Sequence, residues 1–192
     1  MQRRTFLTAA ALGSLARLAG ATPSFKTAEI DVAGNNIFYR RYGQGPPILM
    51  VHGFPRTSLR WRFLAPKLAG DHTVVCVDLR AYGRSGIPAS ADDHSPYSKR
   101  AMANELVEGM AKLGFPTFSL IGHDRGGRVA YRIALDHSTN VERLTVFDVI
   151  PILEAWNRTD TRFAQTYWPW ILLSQKQLPE SYFTRRSESS FR

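Results

Sequence analysis

The chain has 192 residues, of which 44% are hydrophobic and 21% are charged. This length suits one domain with a sizeable core, and the hydrophobic content excludes an intrinsically disordered chain. The formal net charge is +9, but the basic residues are scattered and not interleaved with aromatic residues, which argues against a nucleic-acid partner. The single cysteine, Cys76, excludes a disulfide framework and lies in an apolar run that is typical of a packed core thiol.

The N-terminal residues have the pattern of a twin-arginine export signal. Arg3 and Arg4 precede an alanine-rich stretch and a small-x-small sequence that ends at Ala21. About a dozen apolar residues, each advancing about 1.5 Å in a helix, are too few to span a bilayer. We therefore predict a signal peptide over residues 1–21, recognition by the twin-arginine export machinery, a periplasmic or secreted location and no stable membrane anchor. The alternative is an amphipathic or membrane-anchoring helix.

The sequence after this segment predicts a core over residues 22–150 in which strands alternate with helices. Alternating apolar residues over 29–32 and 37–42, across a turn at 34–36, predict an antiparallel hairpin. Continuous apolar runs predict strands buried on both faces, and apolar residues at helical spacing predict amphipathic helices. The remaining predicted elements are strands over 47–51, 73–77, 118–121 and 141–147, and helices over 58–68, 99–113 and 125–135.

Two of the predicted helices have an expected buried face. Ser58 is the expected N-cap of the first helix, and Gly70 is its expected stop. The predicted apolar stripes are Leu59, Phe63, Leu64 and Leu68 in the first helix, and Met102, Leu106, Met110 and Leu113 in the second.

This alternation predicts an α/β fold with a mainly parallel sheet and helices on both faces. Four polar residues lie at or just beyond the carboxyl ends of predicted strands. Because the carboxyl ends of parallel strands meet at one edge of the sheet, we expect a catalytic site there. These residues are His52, Asp78, Asp124 and Asp148.

The residues after Pro151 are rich in tryptophan, tyrosine and phenylalanine and have weak strand signals. They predict a partial helical cap over residues 151–183, placed over the site. The polar and patternless residues 184–192 predict a disordered tail.

The most specific motif is G-H-D-R-G-G-R at residues 122–128, between a predicted strand and a predicted helix. A strand-turn-helix elbow needs flanking glycines and exposes its central residue, here Asp124. A carboxylate in this position attacks a saturated carbon that bears a leaving group and forms an ester. Water then cleaves the ester with help from a base, usually histidine. No histidine follows His137.

The motifs H-G-F-P, D-L-R-x-Y-G-x-S, G-H-D-R-G-G-R and F-D-x-x-P occur in this order at residues 52–55, 78–85, 122–128 and 147–151. In this order they resemble those of the α/β-hydrolase superfamily and, within it, the fluoroacetate and haloacetate dehalogenases. The likeness covers about residues 29–180. It implies an α/β-hydrolase fold and displacement of halide from a small 2-halocarboxylate.

The resemblance also implies the roles of individual residues. Asp124 corresponds to the nucleophile, and Arg125 and Arg128 correspond to the arginines that bind the substrate carboxylate. Asp148 corresponds to the acid that orients the catalytic histidine. The backbone N–H groups of Phe54 and Arg125 correspond to the oxyanion hole. The family also implies that Asp78, His52 and His123 fix loops.

The cap departs from the family pattern. Residues 167–170 read Tyr-Trp-Pro-Trp where the dehalogenases have Tyr-Trp-His-Trp, in which the histidine and the second tryptophan donate hydrogen bonds to the halide. Trp170 retains this donor, but Pro169 has none. We therefore expect chloroacetate or bromoacetate to be preferred over fluoroacetate. For Trp168 we expect a role in the core of the cap.

The family's histidine lies beyond the cap on a later strand and loop, and the resemblance decays from Ser181 onward. We therefore expect a C-terminally truncated hydrolase without the last strands and helix, with impaired activity and at most one halide released per chain. The strand that ends before Asp148 would then form an exposed sheet edge.

Other functions remain open at this point. One is an epoxide hydrolase or another hydrolase of the superfamily, although haloalkane dehalogenases and epoxide hydrolases usually carry tryptophan at the position of Arg125. The other is a non-catalytic remnant or a carboxylate-binding pseudoenzyme. The expected ligand is a small anionic substrate, no cofactor or metal is implied, and the oligomeric state stays open.

Overall fold

The computed structural model of the chain describes residues 24–175 and residue 179. These residues divide into a first unit that ends at Val149 and a second unit that begins at Ile150. The signal peptide predicted over 1–21 and the tail predicted over 184–192 lie outside the described residues. In the described part of the chain, no helix has the length and apolarity needed to cross a membrane.

The first unit is built on one six-stranded sheet in the order β1-β2-β4-β3-β5-β6. β1 is antiparallel to β2 and β2 to β4, whereas the β4-β3, β3-β5 and β5-β6 pairs are parallel. The predicted mainly parallel sheet is therefore confirmed. The strands are β1 (Phe25–Val32), β2 (Asn35–Tyr42), β3 (Pro47–Val51), β4 (Thr73–Val77), β5 (Phe118–His123) and β6 (Val141–Phe147).

The hairpin turn differs from its prediction at 34–36. Its loop is Ala33 and Gly34, which have φ values of 51° and 82°, as tight two-residue hairpin loops require. Asn35 already belongs to β2, where it pairs with Val32 of β1, and its amide Nδ2 donates a 2.6 Å hydrogen bond to Glu105 in the core.

The sheet has a core on each face, and consecutive residues of β3 alternate between them. Leu49 and Val51 join a core that includes the apolar face of one helix pair, whereas Ile48 and Met50 pack with Trp61 on the other face. This burial on both faces explains the continuous apolar runs of β3 and β4. Cys76 is fully buried in the second of these cores, as predicted.

The helices of the first unit are α1 (Ala65–Leu68), α2 (Lys99–Lys112) and α3 (Arg125–Asp136). The predictions for α2 and α3 are confirmed to within a residue. The long helix predicted over 58–68 is wrong. Its residues form a 3₁₀ helix, Ser58–Trp61, and then the short α1. Pro66, in the first turn of α1, lacks an N–H and its ring excludes a helical carbonyl four residues earlier.

The predicted N-cap of that helix is also wrong, and its predicted apolar stripe is confirmed only for Leu64 and Leu68, which pack against the core around Trp61. Thr57, not Ser58, is the N-cap, and its hydroxyl accepts from the N–H of Leu59. Leu59 and Phe63 are 50% and 71% exposed. The broken helix turns Trp61 into the core in their place.

The second unit is helical, as predicted for the segment after Pro151. Its helices within residues 150–175 are α4 (Ile152–Asn157), α5 (Thr161–Thr166) and α6 (Trp168–Leu173). Trp170 lies at the centre of an aromatic cluster, with ring centroids 6.3 Å from Trp156 and 5.9 Å from Phe163. Trp168 is 59% exposed, so its predicted role in the core of this unit is wrong.

Candidate active site

The loop between β5 and α3 places Asp124 on a sharp turn. Its φ of 51° and ψ of −120° are unusual for a residue with a side chain, and such backbone strain is concentrated at functional sites. The turn also needs close backbone approach, because a Cβ on Gly126 would lie 2.3 Å from the carbonyl oxygen of His52. The strained turn and the glycine together have the geometry of a nucleophile elbow.

The carboxylate of Asp124 is held from the neighbouring strand end. The backbone N–H of Phe54, which follows β3, donates a 3.0 Å hydrogen bond to Oδ2 of Asp124. The Asp124 side chain does not cap α3. An N–H group in this place is suited to stabilise negative charge that develops on a carboxyl oxygen. The predicted oxyanion-hole role of the Phe54 and Arg125 N–H groups stays a prediction.

The N-terminus of α3 brings a second N–H group and two guanidinium groups to the same place. Arg125 is the first residue of α3, and the N–H groups of a first helical turn have no intrahelical acceptor. Arg128 lies one turn further along. Its pKa is lowered by burial, and the Asp124 carboxylate partly offsets that effect by favouring the charged form. Both arginines predicted to bind a carboxylate thus lie near Asp124, and their role in binding stays a prediction.

The guanidinium of Arg125 also contacts the loop that carries Phe54. Its carbon Cζ lies 5.1 Å from the centroid of the Phe54 ring, within cation–π range. Phe54 therefore contacts Asp124 through its backbone and Arg125 through its side chain.

Lys99 is a third cation of this site, and the motifs did not reveal it. It is the first residue of α2 and is partly buried. Burial, followed by the charges of Arg125 and Arg128, lowers the pKa of Lys99 to about 8, and the charge of Asp124 opposes these effects. A strongly shifted lysine beside a carboxylate is typical of a functional site. In the sequence, its position directly after Ser98, a typical helix N-cap, was the available signal.

His52 fixes the loop that carries Phe54. Its Nδ1 lies 2.8 Å from the carbonyl oxygen of Gly53, and its Nε2 lies 3.0 Å from the backbone nitrogen of Leu79. The second contact requires Nε2 to accept, so the proton of the neutral ring lies on Nδ1. Burial lowers the pKa of His52 and so favours this neutral form. The predicted loop-fixing role of His52 is confirmed.

Asp78 fixes two further loops. Its Oδ1 accepts from the N–H of Ser58 at 2.6 Å, and its Oδ2 accepts from the N–H of Arg84 at 3.1 Å. Its carbonyl oxygen accepts from the hydroxyl of Ser85. The side chain is buried, so these bonds compensate for the removal of its charge from water. The loop-fixing prediction for Asp78 is confirmed.

Asp148 lies at the end of β6, beside the elbow. The N–H of Asp124 donates to the carbonyl oxygen of Phe147, which ties the two strand ends together. The carboxylate of Asp148 is 86% exposed, and its Oδ2 lies 3.7 Å from Nε2 of His123. The structure thus places the predicted orienting acid at the expected strand end. Its catalytic role stays a prediction.

The remaining predicted site residue, Trp170, belongs to the aromatic cluster of the second unit. Its proposed contact with halide stays a prediction. Among the described residues, no group of three or more histidine, cysteine, aspartate or glutamate side chains is arranged to hold a metal ion.

Comparison with known proteins agrees with this geometry. The family model described as alpha/beta hydrolase fold matches residues 46–175. A fluoroacetate dehalogenase from a Burkholderia species is 49% identical over 133 residues, which cover 69% of this chain and 44% of that protein. A soluble epoxide hydrolase from Corynebacterium sp. strain C12 is 38% identical over 120 residues, which cover 62% of this chain and 40% of that protein.

A solved structure is similar to the same region. A protein from Nostoc sp. PCC 7120, provisionally named as an alpha/beta hydrolase, superposes with a TM-score of 0.80 and 42% identity, covering 86% of this chain and 57% of that one. The chain therefore spans less than half of the two curated relatives and just over half of the solved structure.

Proposed function

Since this chain belongs to the α/β-hydrolase fold family, we propose that it carries the nucleophile and the carboxylate-binding residues of a hydrolase that releases halide from a small 2-halocarboxylate. The observation that supports this most directly is the set of charges around Asp124. The carboxylate of Asp124 interacts electrostatically with Arg128 and Lys99, and Arg125 interacts with both of these cations. A 2-halocarboxylate suits such a site, because its carboxylate binds to the cations and its halogen-bearing carbon is open to attack by Asp124.

Binding comes first. The guanidinium groups of Arg125 and Arg128 provide planar donors that match a carboxylate, and their positive charge offsets the repulsion between an anionic substrate and an anionic nucleophile. The N-terminus of α3 adds the favourable end of its dipole. The halogen-bearing carbon, adjacent to the bound carboxylate, would then be held near Asp124.

The displacement step follows from this arrangement. An oxygen of Asp124 forms a bond to the carbon, the carbon–halogen bond breaks, and the halide leaves with the bonding electron pair. The product is an ester between Asp124 and the carboxymethyl group. Water must then attack the ester carbonyl with help from a base, and the N–H of Phe54 is placed to stabilise the oxyanion that forms. In this proposal Asp148 orients that base.

The test is single-turnover labelling by bromoacetate. We expect one bromide per chain in a first phase and a carboxymethyl group on the peptide that contains Asp124, found by mass spectrometry. Asp124→Asn should release no bromide. Asp71→Asn, which alters an exposed carboxylate outside the site, should behave like the unmodified chain.

Bromide release that survives Asp124→Asn would contradict the proposal. The peptide map distinguishes labelling of the Cys76 thiol from labelling of Asp124. Burial also raises the pKa of Cys76 and so keeps it in the unreactive thiol form. The same experiment tests the expectation of one halide per chain, because any further bromide requires hydrolysis of the ester.

Halide preference follows from residues 169 and 170. We propose that Trp170 donates to the departing halide and that Pro169 supplies no donor from its ring. Fluoride depends on strong donors more than chloride or bromide does, so chloroacetate and bromoacetate should react faster than fluoroacetate. Faster release of fluoride than of chloride at equal concentration would refute this proposal.

Epoxide opening is the second candidate, supported by the 38% identity to a soluble epoxide hydrolase. The same nucleophile attacks an epoxide carbon and forms the same kind of ester. Glycidate has both a carboxylate and an epoxide, so it tests the reacting group while it keeps the anion. Labelling of Asp124 by glycidate but not by bromoacetate would favour this candidate. Carboxylate binding that survives Asp124→Ala, with no halide release from the unmodified chain, would favour a binding pseudoenzyme.

Export is a separate proposal that depends on residues 1–21. We propose that the twin-arginine machinery recognises Arg3 and Arg4 and that cleavage follows Ala21. The mass of the protein recovered from the periplasm should then correspond to a chain that begins at Thr22. A recovered chain that still begins at Met1 would overturn this proposal.

A further inference from the structure

The guanidinium of Arg125 binds a carboxylate well only if another group restricts its orientation. An arginine has several rotatable bonds, and holding it in one orientation has an entropic cost. In the structure its Cζ lies over the Phe54 ring, 5.1 Å from the centroid. The ring face attracts the guanidinium and restricts it to one side of the elbow.

The Phe54 ring is 55% exposed, so burial alone does not fix its position. Tyr82 contacts it edge to face, with centroids 6.5 Å apart and an interplanar angle of 80°. Tyr82 in turn packs edge to face on His52 at 5.2 Å. His52 is fully buried and held by its two backbone contacts. A series of rings therefore connects the guanidinium of Arg125 to the core.

We propose that Phe54 is a positioning residue for binding of the substrate carboxylate. Its ring holds the guanidinium of Arg125 at a fixed position relative to Asp124. The position is fixed relative to Asp124 because the backbone N–H of Phe54 also donates a 3.0 Å hydrogen bond to Oδ2 of Asp124. One residue thus sets the nucleophile and the carboxylate-binding group relative to each other. This inference rests on the proposed function only for the identity of the reacting substrate, because carboxylate binding is measurable without reaction.

The alternative is that the Phe54 ring only provides apolar surface beside the nucleophile. The two roles differ in what they do to charged and neutral ligands. A ring that acts through Arg125 affects acetate and bromoacetate more than acetamide and bromoacetamide, which have the same shape and no charge. A ring that only fills space affects both kinds of ligand equally.

The experiment measures the dissociation constant of acetate by NMR titration, and the rate of Asp124 labelling by bromoacetate and by bromoacetamide. The variants are Phe54→Leu, which keeps the backbone N–H and removes the ring face, and Phe54→Tyr, which keeps the face. We expect Phe54→Leu to weaken acetate binding about fivefold and to lower the bromoacetate-to-bromoacetamide rate ratio by a similar factor. Phe54→Tyr should have the same acetate dissociation constant and the same rate ratio as the unmodified chain.

Phe63→Leu is a matched control, because Arg62 lies over the Phe63 ring at 4.3 Å in an exposed pair outside the site. It should change neither value. An unchanged acetate dissociation constant and rate ratio in Phe54→Leu would overturn the inference, as would equal losses for the charged and neutral ligands. Acetate binding that responds to Phe54→Leu in a chain that bromoacetate does not label would support the inference and refute the dehalogenase proposal, so the two fail separately.

Discussion

Gly53 and Asp124 are in such close contact that only glycine fits at position 53. A Cβ built on Gly53 would lie 2.5 Å from Cβ of Asp124 and 2.6 Å from its Oδ2. Both distances are shorter than packed carbon and oxygen atoms allow. The H-G-F-P sequence therefore carries a steric requirement in addition to its N–H group.

This contact predicts a large effect of a single methyl group. Gly53→Ala should displace either the Asp124 carboxylate or the loop that carries Phe54, and should slow labelling by bromoacetate about a hundredfold. Gly70→Ala is the matched control, because a Cβ there meets nothing within 4 Å and its φ is not in the left-handed region. Labelling of Gly53→Ala at an unchanged rate would show that the loop moves without consequence.

Lys99 predicts a pH dependence for the labelling reaction. Since burial and the neighbouring arginines lower the pKa of Lys99 to about 8, its ammonium is fully charged well below pH 8 and is lost as the pH rises through that value. The attraction of bromoacetate should fall over the same range. Labelling by bromoacetate should therefore slow between pH 7 and 9 relative to labelling by bromoacetamide.

Substitution of the lysine tests the assignment. Lys99→Met should slow bromoacetate labelling at pH 7 about tenfold and remove the dependence centred near pH 8. Lys112→Met, at the other end of α2, removes an exposed lysine that pairs with Glu108 and should leave the profile unchanged. A pH profile that persists in Lys99→Met would assign the titration to another group.

A buried ion pair holds the loop after β4 against α2. Arg80 donates from Nε and Nη2 to the two carboxylate oxygens of Glu105 at 3.1 and 2.9 Å, and Asn35 donates to the same carboxylate. Glu105→Ala leaves the guanidinium buried without its partner, so the free energy of unfolding should fall by about 3 kcal/mol in urea titrations. Glu108→Ala, which removes an exposed pair on the same helix, should cost less than about 0.5 kcal/mol. Equal losses in the two variants would contradict this assignment.

His52 predicts how stability depends on pH. Because burial lowers the pKa of His52 below 6.5, the unfolded chain binds its proton at a higher pH than the folded chain does. The free energy of unfolding should therefore fall as the pH falls below about 6.5, as the lowered pKa is approached. Protonation would also break the bond that Nε2 accepts from Leu79.

His52→Gln retains an acceptor near Leu79 and cannot titrate. It should be less stable at pH 7 and should show a smaller loss of stability between pH 7 and 5, measured by urea unfolding. His94→Gln provides the control for an exposed histidine. If the free energy of unfolding of His52→Gln falls between pH 7 and 5 as much as that of the unmodified chain, the pH dependence belongs to other groups.

The sequence by itself determined the features that depend on local pattern. The runs over 47–51 and 73–77 predicted their strands because residues buried on both faces of a sheet leave a continuous apolar signal. The elbow at Asp124 was visible because its glycines and flanking elements are contiguous. The broken helix at 58–68 was missed, although Pro66 was there to predict it.

Only the tertiary structure decided which distant groups meet. Phe54 and Asp124 are 70 residues apart, and the hydrogen bond between them depends on β3 and β5 being neighbours in parallel register. Lys99 has no motif of its own and became a site residue because α2 packs beside α3. The position of the Arg125 guanidinium depends on the Phe54 ring and, through Tyr82, on the buried His52. Local sequence specifies the elements and the sharp turn at Asp124, but the charge and geometry around Asp124 arise from pairing and packing between segments far apart in the chain.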